Sequence, residues 1–312
     1  MSKKILVTCP PMLGIIQEFE PLFRDNEWLV TTPEVTQVLS VSELVRLLPE
    51  HDGWIIGDDP ATRTVFEAGK SGRLRAAVKW GIGVDNVDLS ACQELGIPIC
   101  NTPNMFGSEV ADIATGYVIA LARETFQIHM GVKDGGWPKP CGVSLAGKTV
   151  ALIGFGDIGK NTAMRLIASG MRVIAYDPIA ANDPKRQLVE RAVWPARLEE
   201  ADFIVVTCAL TATSKHLINQ AILENVKTGV RIVNVARGPI IDESALENAL
   251  ISGRVYSAAL DVFELEPLPL ESRLRNHPRC IFGSHNASNT LDAVTRTSEL
   301  AIKRLSEFLN ER

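Results

Sequence analysis

The sequence predicts an α/β protein whose parallel sheets are shared between two domains. Three observations carry that expectation. Short apolar runs of strand length alternate with helix-like stretches along most of the chain. The 312 residues are enough for two domains of ordinary size. One of the apolar runs also leads straight into Gly154-Phe155-Gly156-Asp157-Ile158-Gly159, a glycine pattern that opens a helix.

The strand candidates are 4–8, 53–57, 76–80, 149–154, 172–176, 203–207, 231–235 and 257–260. Helical patterns lie between them, as in 42–48, 157–168 and 243–251. From Ser108 to Met130 the pattern reads as one long, mostly apolar helix with Ser108 as its N-cap, long enough to cross between domains or to build an interface. The following Gly135-Gly136-Trp137-Pro138-Lys139-Pro140 cannot be a helix or a central strand. A last amphipathic helix is expected over 290–310, with Leu291, Val294, Leu300, Ile302, Leu305 and Leu309 as its apolar stripe.

Composition excludes several classes. Hydrophobic residues make up 46% and charged residues 22%, as in an ordinary globular chain. The net charge of −5 has no basic block behind it, which argues against a nucleic-acid partner. No apolar run approaches the roughly eighteen residues of a membrane span, and no secretory leader is recognisable, so no membrane association is expected. Cys9, Cys92, Cys100, Cys141, Cys208 and Cys280 form no C-x-x-C pair. They read as buried, reduced thiols of a cytoplasmic protein, with no metal site.

The turn at Gly154 points to a dinucleotide. Glycines there allow a tight turn, close approach of backbone to pyrophosphate and close helix–strand packing. The helix start adds free N–H groups and a positive dipole end. Asp177 ends the next strand, about twenty residues on, where a carboxylate accepts hydrogen bonds from ribose hydroxyls and repels a 2′-phosphate. This favours NAD over NADP.

Three downstream segments add reactive side chains. Val233-Asn234-Val235-Ala236-Arg237-Gly238 would put an arginine outside the carboxyl end of the sheet, where its planar fork can hold a carboxylate. The other two are Asp261-Val262-Phe263-Glu264-Leu265-Glu266-Pro267 and Gly283-Ser284-His285-Asn286-Ala287.

Together with Gly81-Ile82-Gly83-Val84-Asp85-Asn86 and Leu217-Ile218-Asn219, these segments resemble the D-2-hydroxyacid dehydrogenases, the group that contains D-3-phosphoglycerate dehydrogenase. The resemblance runs over nearly the whole chain. It implies two Rossmann-like domains: a flavodoxin-like substrate domain over 1–101 and 284–312, and an NAD-binding domain over 102–283, with a cleft between them. It implies NAD-dependent hydride exchange with a small 2-oxo or 2-hydroxy acid. His285 would be the general acid and base, Glu266 its carboxylate partner, and Arg237 the group that binds the substrate carboxylate. Glu264 is the rival of Glu266, and Pro267 favours Glu266.

By the same resemblance Gly154, Gly156, Asp157, Ile158, Gly159, Asp177, Cys208, Val235, Ala236, Arg237, Asp261 and His285 would line the cofactor. Trp80, Gly81, Ile82 and Gly83, with Arg237 and His285, would meet the substrate. A homodimer formed through the dinucleotide domain is implied, and no regulatory domain is expected after the last helix. Ser284, Asn286 and Cys208-Ala209 depart from the usual family residues at the rim of the cofactor and substrate. Lys79 and Lys139 stand where the phosphoglycerate branch often has anion-binding arginines. Phosphoglycerate oxidation is therefore one alternative, and an NAD(H)-responsive corepressor-like binding protein of the same fold is another. The histidines at 51, 129, 216 and 277 lack such context and read as solvated or structural.

Overall fold

Strands β1 (Lys3–Val7), β2 (Trp28–Thr31), β3 (Gly53–Ile56), β4 (Ala76–Lys79) and β5 (Ile99–Asn101) form one all-parallel sheet in the order β2-β1-β3-β4-β5. The structure is a computed structural model that describes residues 2–178 and 188–310. The chain folds as two compact units, Met1–Met105 with Asn289–Arg312, and Phe106–Ser288. Both boundaries fall a few residues beyond those expected at 101/102 and 283/284, inside the turns that follow β5 and precede the last helix.

In the first unit, β3 and β4 are buried at every position. A parallel sheet is covered on both faces, so its inner strands read as continuous apolar runs. One face packs Leu6, Leu44, Leu48, Trp54, Ile56 and Phe66 into a core. On the other face lies the helix Leu291–Asn310, packed on β3 and β4. Gly53 permits that approach, since a Cβ there would stand 3.1 Å from Leu305 Cδ2 and 2.9 Å from Ile5 Cδ1. The buried stripe of this helix is Ala293, Val294, Thr297, Ser298, Ala301, Ile302, Leu305 and Leu309. Leu291 is exposed and Leu300 half-buried, so two members of the expected stripe are replaced by small residues that let the helix sit close.

The second unit carries β6 (Thr149–Ile153), β7 (Arg172–Tyr176), β8 (Glu190–Arg191), β9 (Phe203–Val206), β10 (Val230–Asn234), β11 (Val255–Leu260) and β12 (Cys280–Phe282). Their order is β12-β11-β10-β9-β6-β7-β8, all parallel. Chain order reverses between β6 and β9, and ligands of open α/β sheets bind outside the carboxyl ends of the strands at such a switch point.

The long helix expected over 108–130 is two. Gly107–Arg123 ends at Glu124, whose φ of 54° is left-handed, and Thr125–Lys133 follows. Tyr256 Oη donates to Glu124 Oε1 at 2.6 Å, a tertiary contact that holds the break. Nor is Ser108 the cap. The helix starts at Gly107 without a side-chain cap, and Ser108 Oγ accepts from Arg165 Nη2 at 2.9 Å. All six cysteines are free. Cys9 and Cys92 are buried and Cys141 is exposed, against the expectation of general burial, because Cys141 lies in the irregular stretch before β6. Among the described residues no helix is long and apolar enough to cross a membrane.

Candidate active site

The glycine turn is built by close packing on its first and last glycines and open space at the middle one. Gly154 has φ +94°, and a Cβ there would lie 2.6 Å from Cys208 Cα, so a side chain is excluded by conformation and by contact. A Cβ on Gly159 would lie 2.2 Å from Gly154 O. Gly156 caps the helix Asp157–Ala168 and has nothing within 4 Å of its Cβ position, which leaves the helix N-terminus approachable. That is the cradle a pyrophosphate fits.

Asp177, just past β7, reaches over this turn, and its Oδ2 accepts from Phe155 N at 2.7 Å. Thr207 Oγ1 donates to Gly154 O at 2.9 Å and fixes the turn from β9. The Cys208 thiol beside it is pushed up to about 11 by burial and stays protonated at neutral pH. Asp157 turns its carboxylate toward Gly107, where a Cβ would come within 2.3 Å of Oδ2, and Ile158 is half-buried at the second helical position. Val235 and Ala236 are buried directly beyond β10.

Asp261 organises the histidine segment. It follows β11, is buried, and its N–H donates to Asn234 O at 2.9 Å. Its own carbonyl accepts from His285 N at 2.7 Å, and its carboxylate accepts from Asn286 N at 3.2 Å and Ala287 N at 2.9 Å. Burial raises its pKa, against the pull of those two amides and of His285. A Cβ on Gly283 would fall 1.9 Å from Asp261 Oδ1, so the glycine before Ser284 makes room for this carboxylate.

His285, at φ +56°, places Nδ1 2.7 Å from Glu266 Oε2. Both side chains are about one-fifth exposed. Glu266 Oε1 accepts from Phe263 N at 3.0 Å, so both carboxylate oxygens are engaged. The contact through Nδ1 fixes the orientation of the imidazole. Glu264, the rival, pairs instead with His216: Oε1 lies 2.5 Å from His216 Nε2. His216 is thus part of this neighbourhood, although 48 residues separate it from Glu264. No local spacing could have signalled that.

Arg237 is half-buried beyond β10, with Nη1 donating to Ala236 O at 2.9 Å. The buried Asn234 shapes its turn, donating from Nδ2 to Arg237 O at 2.9 Å and accepting Ala236 N at 3.0 Å. The next residue, Gly238, lies directly on the Phe263–Glu264 backbone, so the arginine and glutamate loops are in contact.

In the first unit, Gly81 has φ +121° and donates its N–H to Thr102 Oγ1 at 2.8 Å. Asn101 Nδ2 donates to Ile82 O at 2.7 Å. Of the loop's amides, those of Ile82 and Gly83 are therefore the better candidates for an anion. Trp80 is buried and donates its indole N–H to Ser298 Oγ at 3.0 Å. Lys79 is also buried, with Nζ on Gly57 O at 2.6 Å, Asp58 Oδ1 at 3.0 Å and Trp80 O at 3.2 Å. Lys79, one of the two cations behind the phosphoglycerate alternative, is thus neither solvated nor turned to the surface, its charge being directed to internal acceptors.

A glycine cradle at the switch point of a parallel sheet, backed by Asp177, and a histidine held by a carboxylate in the same unit are the arrangement that a nicotinamide-dependent oxidoreductase requires. Comparison with known proteins narrows the class. The family described as "D-isomer specific 2-hydroxyacid dehydrogenase, NAD binding domain" matches residues 115–287. The chain is 36% identical over 300 residues to a hydroxypyruvate reductase of Thermotoga maritima, covering 93% of this chain and 96% of that protein. It is 39% identical over 259 residues to the chloroplastic D-3-phosphoglycerate dehydrogenase 2 of Arabidopsis thaliana, 82% of this chain but only 41% of that longer protein. The apo structure of D-lactate dehydrogenase from Escherichia coli superposes with a TM-score of 0.84 at 28% identity, over 99% of this chain and 98% of that one. The chain belongs to the D-isomer specific 2-hydroxyacid dehydrogenases, a family of NAD-dependent oxidoreductases.

Proposed function

We propose that the protein interconverts a small 2-oxo acid and its D-2-hydroxy acid, with His285 as the proton-transfer group. The observation that carries this reading is the His285–Glu266 pair at 2.7 Å, which orients the imidazole through Nδ1. When bound, NADH supplies the hydride that arrives at C2. Negative charge then develops on the carbonyl oxygen, and His285 delivers a proton to it from Nε2, completing the alcohol. Glu266 orients the ring and favours its cationic form. Arg237 holds the substrate carboxylate through its planar fork and polarises the carbonyl. In the oxidative direction His285 takes the hydroxyl proton.

The amides of Ile82 and Gly83 are assigned to the substrate carboxylate on the strength of the family resemblance, with Gly81 and Trp80 shaping their loop. The turn 154–159, Asp177, Cys208, Val235, Ala236 and Asp261 are assigned to the cofactor. Asp177 selects NAD over NADP by repelling a 2′-phosphate. The protein is read as a cytoplasmic homodimer, and the exposed Phe126, Met130, Val132 and Trp137 support a protein interface on the second unit.

Hydroxypyruvate is the first substrate to test, given the Thermotoga relative. The purified protein, NADH and a panel of hydroxypyruvate, glyoxylate, pyruvate and 3-phosphohydroxypyruvate would be followed by loss of NADH absorbance. Turnover on at least one unphosphorylated acid is expected. NADH binding without turnover on any of them would overturn the catalytic reading in favour of a corepressor-like one.

A further inference from the structure

His216 joins the two loops that carry the reacting groups, and neither the family assignment nor the proposed chemistry gives it a task. Its N–H donates to Pro239 O at 2.8 Å, two residues beyond Arg237. Its Nε2 stands 2.5 Å from Glu264 Oε1, two residues before Glu266. Glu264 is fixed from a second side, because its N–H donates to Glu243 Oε1 at 2.5 Å. The loops also abut directly: a Cβ on Gly238 would lie 1.8 Å from Phe263 C, so no slack exists at the contact.

His216 itself is held in place. Its φ is 49°, a conformation that costs a non-glycine residue energy and persists only where the surroundings impose it. Its carbonyl accepts from Asn219 Nδ2 at 3.2 Å, and Asn219 caps the helix Gln220–Asn225.

We propose that His216 is a positioning residue for the reaction: by bridging Pro239 and Glu264 it sets the spacing between Arg237 and the Glu266–His285 pair. The proposal rests on the roles given above to those three residues. The side chains of His216 and Glu264 are 42% and 34% exposed. An exposed pair of this kind contributes only ~0–1 kcal/mol to stability. A displacement of about 1 Å at reacting groups, by contrast, lowers a rate by up to about 10²-fold. Loss of His216 should therefore damage catalysis far more than folding.

His216→Ala, His216→Gln and His285→Ala in the full-length chain test this, assayed with NADH and whichever 2-oxo acid the wild type reduces. His216→Ala is expected to lower kcat/KM by about tenfold or more. KM should rise as Arg237 shifts, and kcat should fall as Glu266 and His285 shift. NADH affinity and Tm should stay near wild type. His216→Gln, whose amide can still donate to Glu264, should recover most of the loss. Wild-type kinetics in His216→Ala, with His285→Ala inactive, would overturn the positioning role and leave the site reading standing. A rate loss that tracks a fall in Tm and is not rescued by glutamine would also overturn it, as would an active His285→Ala, which removes the underlying reading too.

Discussion

His285 Nδ1 and Glu266 Oε2 lie 2.7 Å apart, while the other oxygen of Glu266 accepts the Phe263 N–H. The carboxylate is thus clamped by backbone on one side and orients the imidazole on the other. His285→Ala should lower turnover by about 10²–10⁴-fold, the usual contribution of a positioned acid, with little change in NADH affinity. Glu266→Gln keeps the side chain's shape but removes its charge. The imidazole then holds its proton over a narrower range, so the pH optimum for reduction should move down. Rate against pH for both variants is the check; near-normal turnover in His285→Ala would place the acid elsewhere.

Asp177, anchored on Phe155 N at 2.7 Å, is expected to set the choice of cofactor. NADH should bind far more tightly than NADPH in a fluorescence titration. Asp177→Ala should narrow the ratio by removing repulsion of the 2′-phosphate, and should loosen the Phe155 turn as well. NADPH binding as tight as NADH in the wild type would contradict this assignment.

The third glycine of the turn is a packing residue. In Gly159→Ala the new Cβ would meet the Gly154 carbonyl, which is backbone and cannot step aside without moving the turn. Overpacking of this kind costs about 1–3 kcal/mol. Both Tm and NADH affinity are expected to fall, whereas Gly156→Ala, with nothing within 4 Å, should leave Tm nearly unchanged and weaken the nucleotide alone. Equal Tm values for the two variants would refute the distinction.

What the sequence made legible divides along the sheets. The eight interior strands are apolar on both faces and stand out as runs. The four strands with no expectation, β2, β5, β8 and β12, are the four sheet edges. They are only partly buried, and both residues of β8 are exposed. At β8 the pairing is accompanied by ion pairs that an apolar pattern does not show: Arg172 and Arg197 bind Glu190 and Glu200, holding both carboxyls down at about 2. The glycine turn, Arg237 and His285 were readable because each sits at a strand end in a recognisable order. The break at Glu124, the inward turn of Lys79 and the His216–Glu264 pair were not, since each depends on a tertiary neighbour far off in the chain.

Asp59 gives the first unit a pH dependence of defined sign. Its carboxyl group is fully buried, accepting Leu39 N at 2.9 Å, Gly57 N at 3.1 Å and the Thr8 hydroxyl, and burial raises its pKa despite those donors and Lys79. An aspartate in the unfolded chain titrates near about 3.9. The folded state therefore holds this proton more tightly than the unfolded one. The stabilisation that follows is complete below that unfolded value and is lost as pH rises through the folded one. Asp59→Asn cannot titrate. It should be less stable than wild type throughout, by about 1–3 kcal/mol, because an amide replaces one acceptor oxygen with a donor. That deficit should shrink as pH rises from about 4 toward neutrality, since only the wild type loses proton-linked stability over this window. Urea midpoints of both proteins across the range decide the matter. A deficit that stays constant or grows with pH would mean that the Asp59 carboxyl is not raised in the fold.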